Sequence, residues 1–148
     1  MPRPITIKIK RLSADIPLPR RMSEQAAGFD LCAAVPQPIT LPPGRIVVVP
    51  CGFSMAIPPG YEAQVRPRSG LSSRYGVTLI NSPGTIDSDY RGEISVPLIN
   101  HGEHPVEIHR AMRIAQMVIA AVPQVKMVEV EDLEETGRGS GGFGHTGH

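Results

Sequence analysis

The sequence predicts an all-β fold: a sandwich, jelly roll or small barrel of short strands with one short helix. Three observations carry this. Apolar and polar residues alternate in ITIKIK, residues 5–10, the period of a half-buried strand. Apolar runs rich in β-branched residues recur in RIVVVP (45–50), EISVPLIN (93–100) and RIAQMVIAAV (113–122), which read as further strands. The 16 prolines and 15 glycines punctuate these runs as PP, PPG, SPG and NHG, with proline expected at strand ends and edges.

In chain order, ITIKIK opens the first strand and RIVVVP a second. SGLSSRYG, residues 69–76, follows as the one plausible helix, with Ser69 as cap and Gly76 as terminator of little more than a turn. EISVPLIN and RIAQMVIAAV supply two more strands. Near residue 124 the pattern gives way to QVKMVEVEDLEETGRGSGG, so residues 1–124 read as the core of one domain and 125–148 as an arm. Without a core of its own, the arm frays or docks, and docking on a second subunit would bury Val125, Met127, Val128 and Val130.

The length of 148 residues and 41% hydrophobic content suit a single globular domain. A formal charge of +1 gives no general basic field for nucleic acid and no acidic solvating block, so the expected partner is a small molecule. Cys32 and Cys51 are too few for a disulfide framework and too far apart for a CxxC motif. The start lacks an apolar signal region, and no stretch approaches the roughly 18 apolar residues of a membrane span. The expectation is a soluble cytoplasmic protein with no membrane partner. His101, His104 and His109 lack the cysteine or carboxylate cluster that a zinc site requires.

Three segments carry chemistry. GTIDSDYRG, 84–92, sets Asp87 and Asp89 two apart between turn glycines; it is either a solvated hairpin tip or a general base beside a held electrophile. RPRSGLSS, 66–73, and GRGSGGFGHTGH, 137–148, both suit an anion, because glycines admit backbone amides, Ser69 and Thr146 offer hydroxyls, and Arg68 and Arg138 offer forked cations. The terminal segment has no lysine after its glycines, which excludes the P-loop order. Phe143, one of three phenylalanines, lies inside this glycine-rich stretch, where an aromatic on a mobile strap suits a lid over a nucleobase.

In order, AGFDLCAA, PRSGLSSRYG, GTIDSDYRG, RIAQ and GRGSGGFGHTG closely resemble the five motifs of the trimeric dUTP diphosphatases (dUTPases), over residues 27–147. The resemblance implies a homotrimer of jelly-roll-like subunits, each active site being assembled from several chains and closed by an exchanged C-terminal arm. It implies a hydrolase that converts dUTP to dUMP and pyrophosphate with Mg²⁺, limiting uracil incorporation into DNA and supplying dUMP for thymidylate synthesis. Asp87 resembles the aspartate that activates water for attack on the α-phosphorus. Arg68, Ser69, Gly70 and Gln116 resemble phosphate-site residues. Asn81, Gly84, Thr85 and Ile86 resemble the uracil readers, and Tyr90 the ring against deoxyribose. Arg138, Gly144, His145 and Thr146 resemble the lid groups at the γ-phosphate, and Phe143 the aromatic over uracil. Asp30 resembles the aspartate that faces magnesium through water, the ion being held mainly by the triphosphate.

Three positions depart from the family pattern. His145 stands where serine is usual; as neutral imidazole it can donate one bond to a phosphate, and protonated it would bind better at low pH. Arg110, Ala111 and Met112 replace a Pro-Gly-acidic turn, which puts that turn's geometry in question. Arg91 stands where other polar residues also occur. The related dCTP deaminases use a glutamate three residues before an asparagine; here that position, before Asn100, is Pro97, which can neither accept a proton nor polarise water. A trimer that binds nucleotide without turnover is the remaining alternative.

Overall fold

In the computed structural model, which describes residues 3–147, Met1, Pro2 and His148 lie outside the described part of the expected core and arm. Eleven strands and one helix follow in order: β1 (Lys8–Arg11), β2 (Phe29–Cys32), β3 (Ile39–Leu41), β4 (Ile46–Pro50), β5 (Phe53–Ala56), β6 (Tyr61–Arg66), α1 (Ser69–Tyr75), β7 (Val77–Leu79), β8 (Gly84–Ile86), β9 (Ser95–Asn100), β10 (Val106–Ile108) and β11 (Arg113–Ala121). The strands form four small sheets, ordered β1-β5, β10-β3, β2-β11-β6-β8 and β4-β9-β7. Every pairing between these strands is antiparallel. The fold is all-β and jelly-roll-like, with one short helix.

Alternation does the packing, since a strand turns successive side chains to opposite faces. β5 buries Phe53 and Met55, β6 buries Ala63 and Val65, and β7 buries Val77 and Leu79. These meet Leu31, Leu41, Leu98, Ile108 and Ile114 in one apolar cluster. ITIKIK is the exception: β1 begins only at Lys8, Ile7 packs against the cluster, and Ile5 and Ile9 remain exposed. Beyond β11, residues 122–147 form no regular element, and Val125, Met127, Val128, Val130 and Leu133 are all exposed.

Two local expectations are corrected. Pro97 sits inside β9, the central strand of its sheet, rather than at an end or edge. Its carbonyl accepts from the Ile80 amide at 3.1 Å. The amide and carbonyl of one antiparallel residue face the same neighbour, so the proline nitrogen points just past the end of β7 and no ladder bond to β4 is lost. The helix cap is Arg68, not Ser69, and it makes no side-chain cap bond; Ser69 is the first helical residue, and Gly76 closes the helix in the left-handed conformation at φ 71°.

The turn before β11 forms without a glycine. Ala111 takes φ 64°, the Ala111 amide donates to Ala33 at 2.8 Å, and the Met112 amide donates to His109 at 3.1 Å. The left-handed region costs an L-residue roughly 1–2 kcal/mol. At the end of β9, Asn100, at 0% exposure, is the single buried polar residue among those described. Its Nδ2 donates to Leu41 at 3.0 Å and to His104 at 2.8 Å, and its Oδ1 accepts from Gly102 at 2.8 Å. Its backbone amide donates to Arg45, and its carbonyl accepts from Gly44. One side chain thus ties β3 to the loop 101–104.

Two outcomes follow. Ala111→Gly releases the left-handed strain and raises stability by about 0.5–1 kcal/mol in denaturant unfolding; no gain would show that the turn carries none. Asn100→Ala orphans two carbonyls and an amide and costs about 2–4 kcal/mol in the same experiment, with a loss under about 0.5 kcal/mol contradicting the tie.

Candidate active site

The residues singled out in the sequence fall on two walls and a strap. The first wall is built by β2, β11 and the start of α1. Asp30 lies directly opposite Gln116 in the β2–β11 register, and Gln116 lies opposite Arg66 on β6. An open cleft of about 330 Å³ is lined there by Gly28, Asp30, Arg68, Ser69, Gly70, Arg113 and Gln116, with Met22, Ala26 and Ala27 at its rim. Gln116 Nε2 donates to the Pro67 carbonyl at 3.0 Å. A Cβ on Gly28 would collide with Gln116 Oε1, so glycine is required for the amide to sit where it does. Gly70 has open space where a side chain would project, leaving its backbone accessible.

Charge on this wall is cationic around one carboxylate. Asp30 Oδ1 lies 3.7 Å from Arg68 Nε, and its Oδ2 accepts from Arg113 Nη1 at 3.2 Å. Arg68 Nη1 in turn donates to the Arg113 carbonyl at 3.3 Å. Two guanidiniums facing one carboxylate leave a positive surplus for anionic oxygens. For a metal, the donor set is one carboxylate: Asp30 alone in this cleft, with no cluster of three or more metal-binding side chains among the described residues. That is not a dedicated cage. It fits Mg²⁺ held chiefly by phosphates and water, the usual arrangement in nucleotide sites.

The second wall is the hairpin after β8. A cleft of about 240 Å³ is lined by Thr85, Ile86, Asp87, Tyr90, Glu93, Ile94 and Ser95. Asp87 is exposed, and its carbonyl accepts from the Tyr90 amide at 3.2 Å, closing the turn. The Tyr90 hydroxyl donates to Glu93 at 3.0 Å, and its ring lies so close over Gly92 that no Cβ fits there. Arg91 Nη1 donates to Ser88 at 2.6 Å and Tyr90 at 3.0 Å, holding the tip. The Asn81 amide packs over Gly84. β8 ends its sheet, so one row of its amides and carbonyls is free of the ladder.

These walls are apart on one chain. From β2 to β8 is three strand spacings, roughly 14 Å, and the Asp87 end lies four rows from the Asp30–Gln116 row, roughly 13 Å along the strands. The two clefts share no residue. Among the described residues the strap reaches neither, since none beyond Ala121 lines them. It is folded on itself: Arg138 Nε donates to Gly141 at 2.7 Å, and the His145 ring packs on Gly141. Phe143 has φ 50° and a wholly exposed ring, Gly144 follows at φ 85°, and Thr146 is exposed.

Sequence reasoning did not single out Gly28, Arg113 or Glu93. Gly28 and Arg113 lie within the quoted AGFDLCAA and RIAQ motifs, but the contacts that give them a role join separate strands. Cys32, opposite Arg113, and Cys51 are both buried and free. Burial pushes the Cys51 thiol up to about 12, aided by Cys32 and Glu93, and burial with the Asp30 carboxylate raises Cys32.

The dUTPase family model matches residues 14–147. A deoxyuridine 5'-triphosphate nucleotidohydrolase of Caldanaerobacter subterraneus subsp. tengcongensis is 56% identical over 145 residues, 97% of this chain and 98% of its own. That of Caulobacter vibrioides is 57% identical over 151 residues, 99% of this chain and 97% of its own. Among solved structures, the dUTPase of Staphylococcus bacteriophage 80alpha with dUPNHPP superposes with a TM-score of 0.87 at 26% identity, covering 97% of this chain and 99% of the other.

The thiols give a pH-dependent outcome. An unfolded chain releases the Cys51 proton from about pH 9, whereas the native state holds it to about pH 12. This contribution to stability is therefore whole below pH 9 and lost as the pH rises through 12. Unfolding between these limits becomes easier by up to about 1.4 kcal/mol per pH unit, and Cys51→Ala flattens that limb. An unchanged alkaline limb in the variant would contradict the assignment.

Proposed function

The chain belongs to the dUTPase family, and from that premise we propose that it hydrolyses dUTP to dUMP and pyrophosphate. Each wall and the strap carries a separate part of that chemistry, and this division is the observation that supports the reading. Asp87, exposed at the hairpin tip, takes a proton from water as the oxygen attacks the α-phosphorus; the bond to the bridging oxygen breaks and pyrophosphate leaves. Phosphoanhydride hydrolysis needs positioning and charge neutralisation more than covalent catalysis. Arg68, Ser69, Gly70 and Gln116 offer a guanidinium, a hydroxyl, an unhindered backbone and an amide for those oxygens. Mg²⁺, when bound, would neutralise the triphosphate, with Asp30 facing it through water.

Selectivity belongs to the hairpin. Asn81 and the free edge of β8 at Gly84, Thr85 and Ile86 present backbone and amide groups suited to the uracil edge, and cytosine with reversed polarity would leave them unpaired. Tyr90, fixed by Glu93 and Gly92, packs against deoxyribose and leaves no room for a 2′-hydroxyl. Arg138, Phe143, Gly144, His145 and Thr146 form the lid, Phe143 stacking on the base and the others approaching the γ-phosphate.

Because the base and the phosphate wall are too far apart on one chain to act on one phosphorus, we assign the complete site to a homotrimer in which walls from different subunits meet and a third subunit's arm closes over them. The 1–124 core and the 125–148 arm are then one domain with an exchanged end. The exposed apolar residues of the arm, and Ile46 and Val48 on β4, provide surface for this assembly. The reaction serves to keep uracil out of DNA and to supply dUMP for thymidylate synthesis, on free nucleotide in the cytoplasm; no helix among the described residues is long and apolar enough to cross a membrane.

The test is pyrophosphate release with Mg²⁺ from dUTP, beside dCTP, dTTP and UTP, with ammonia followed in parallel. Release from dUTP alone is expected. Asp87→Asn lowers kcat by about 10²–10⁴-fold while nucleotide still binds, and deletion of 137–148 leaves a folded core about a hundredfold or more slower. Ammonia from dCTP, or undiminished turnover in the Asp87 variant, would overturn the reading.

A further inference from the structure

We propose that Arg113, through Asp30 and Arg68, is a positioning residue of the triphosphate wall, placed there by a bulge in β11. The backbone argument comes first. Residues 113 and 116 are three apart, and in a regular strand they would face opposite sides of the sheet. The β11–β2 register shifts between Arg113 and Ala115: Arg113 lies opposite Cys32 and Ala115 opposite Leu31. The inserted residue, Ile114, is buried at 1% and its neighbour Ala115 at 0%, two consecutive core positions that regular alternation forbids. One extra residue flips the face of what precedes it. Arg113 therefore joins Gln116 on the cleft side.

The side chains then close a ring. The Arg113 guanidinium holds one oxygen of Asp30, the Arg68 guanidinium faces the other, and the Arg113 carbonyl accepts from Arg68. The same residue thus fixes the wall's carboxylate and its phosphate-binding arginine. Without the Arg113 side chain, Asp30 loses its shorter partner, while the backbone carbonyl at 113 still accepts from Arg68. The freed Asp30 regains rotamer freedom, and so does the Arg68 guanidinium that faces it, which nucleotide binding must remove again. Arg113 is half-exposed, at 43% of its side chain, and its side-chain contact on this wall is the Nη1 bond to Asp30, the pair through which a positioning role runs.

This rests on the dUTPase reading, and the experiment separates the two. In the full chain, Arg113→Gln, Arg113→Lys, Asp30→Asn and the double variant Arg113→Gln/Asp30→Asn are compared. The readouts are kcat and KM for dUTP, and equilibrium binding of α,β-imido-dUTP with Mg²⁺ and of dUMP. Arg113→Gln weakens imido-dUTP binding by about tenfold or more, shifts dUMP binding, which also reports folding, by less than about threefold, and is partly rescued by lysine. The double variant is no worse than the weaker single, because residues acting through one another are not additive. Additive losses, or wild-type behaviour of Arg113→Gln, overturn the inference while leaving the function intact. A wild type that neither binds nor hydrolyses dUTP overturns both.

Discussion

The cleft around Asp30 and Gln116 depends on the antiparallel ladder that β11 shares with β2 on one side and β6 on the other. A central strand has no freedom to slide, because a one-residue slip would exchange its core face with its outer face. Met117 and Ala115 are held inward by this constraint, and Gln116 is held outward in line with Asp30 and Arg66. The cleft is thus a by-product of a register that the core already enforces. Gly28 completes it passively, by giving the Gln116 amide room.

The hairpin wall is organised differently. Its geometry comes from short local bonds, Tyr90 to Glu93 and Arg91 to Ser88, rather than from the core. One wall is held by packing and the other by turn chemistry, and the strap has local turns of its own but lines neither cleft. On the proposed reading, this gradient suits the order of events: a fixed surface to receive phosphates, a shaped loop to read the base, and a segment that orders last.

Much of this was legible in the sequence. The strands in RIVVVP, EISVPLIN and RIAQMVIAAV announce themselves by β-branched runs, and Gly76 marks the end of the helix. The roles expected of Asp87, Phe143 and Arg138 rest on the resemblance to the dUTPase motifs, because composition alone leaves GTIDSDYRG open to being a solvated hairpin tip. Other features were not. β3 and β10 are three residues each and leave too short a pattern to read. Pro97 was misplaced because a rule about proline in sheets cannot see where a neighbouring strand stops. Ser69 suits a cap by residue type, while the extended backbone at Arg68 decides the matter. The bulge at Ile114 left Arg113 unremarked, because a register shift is a property of two strands and is invisible in either alone.

The exposed arm has a consequence of mass action. From Val125 to Leu133 the chain carries apolar side chains that find no place on their own core, so a solitary subunit bears two separate clefts and a hydrophobic surface open to water. If subunits complete one another, specific activity becomes a function of protein concentration as well as of substrate. Dilution would then act as an inhibitor with no binding site of its own.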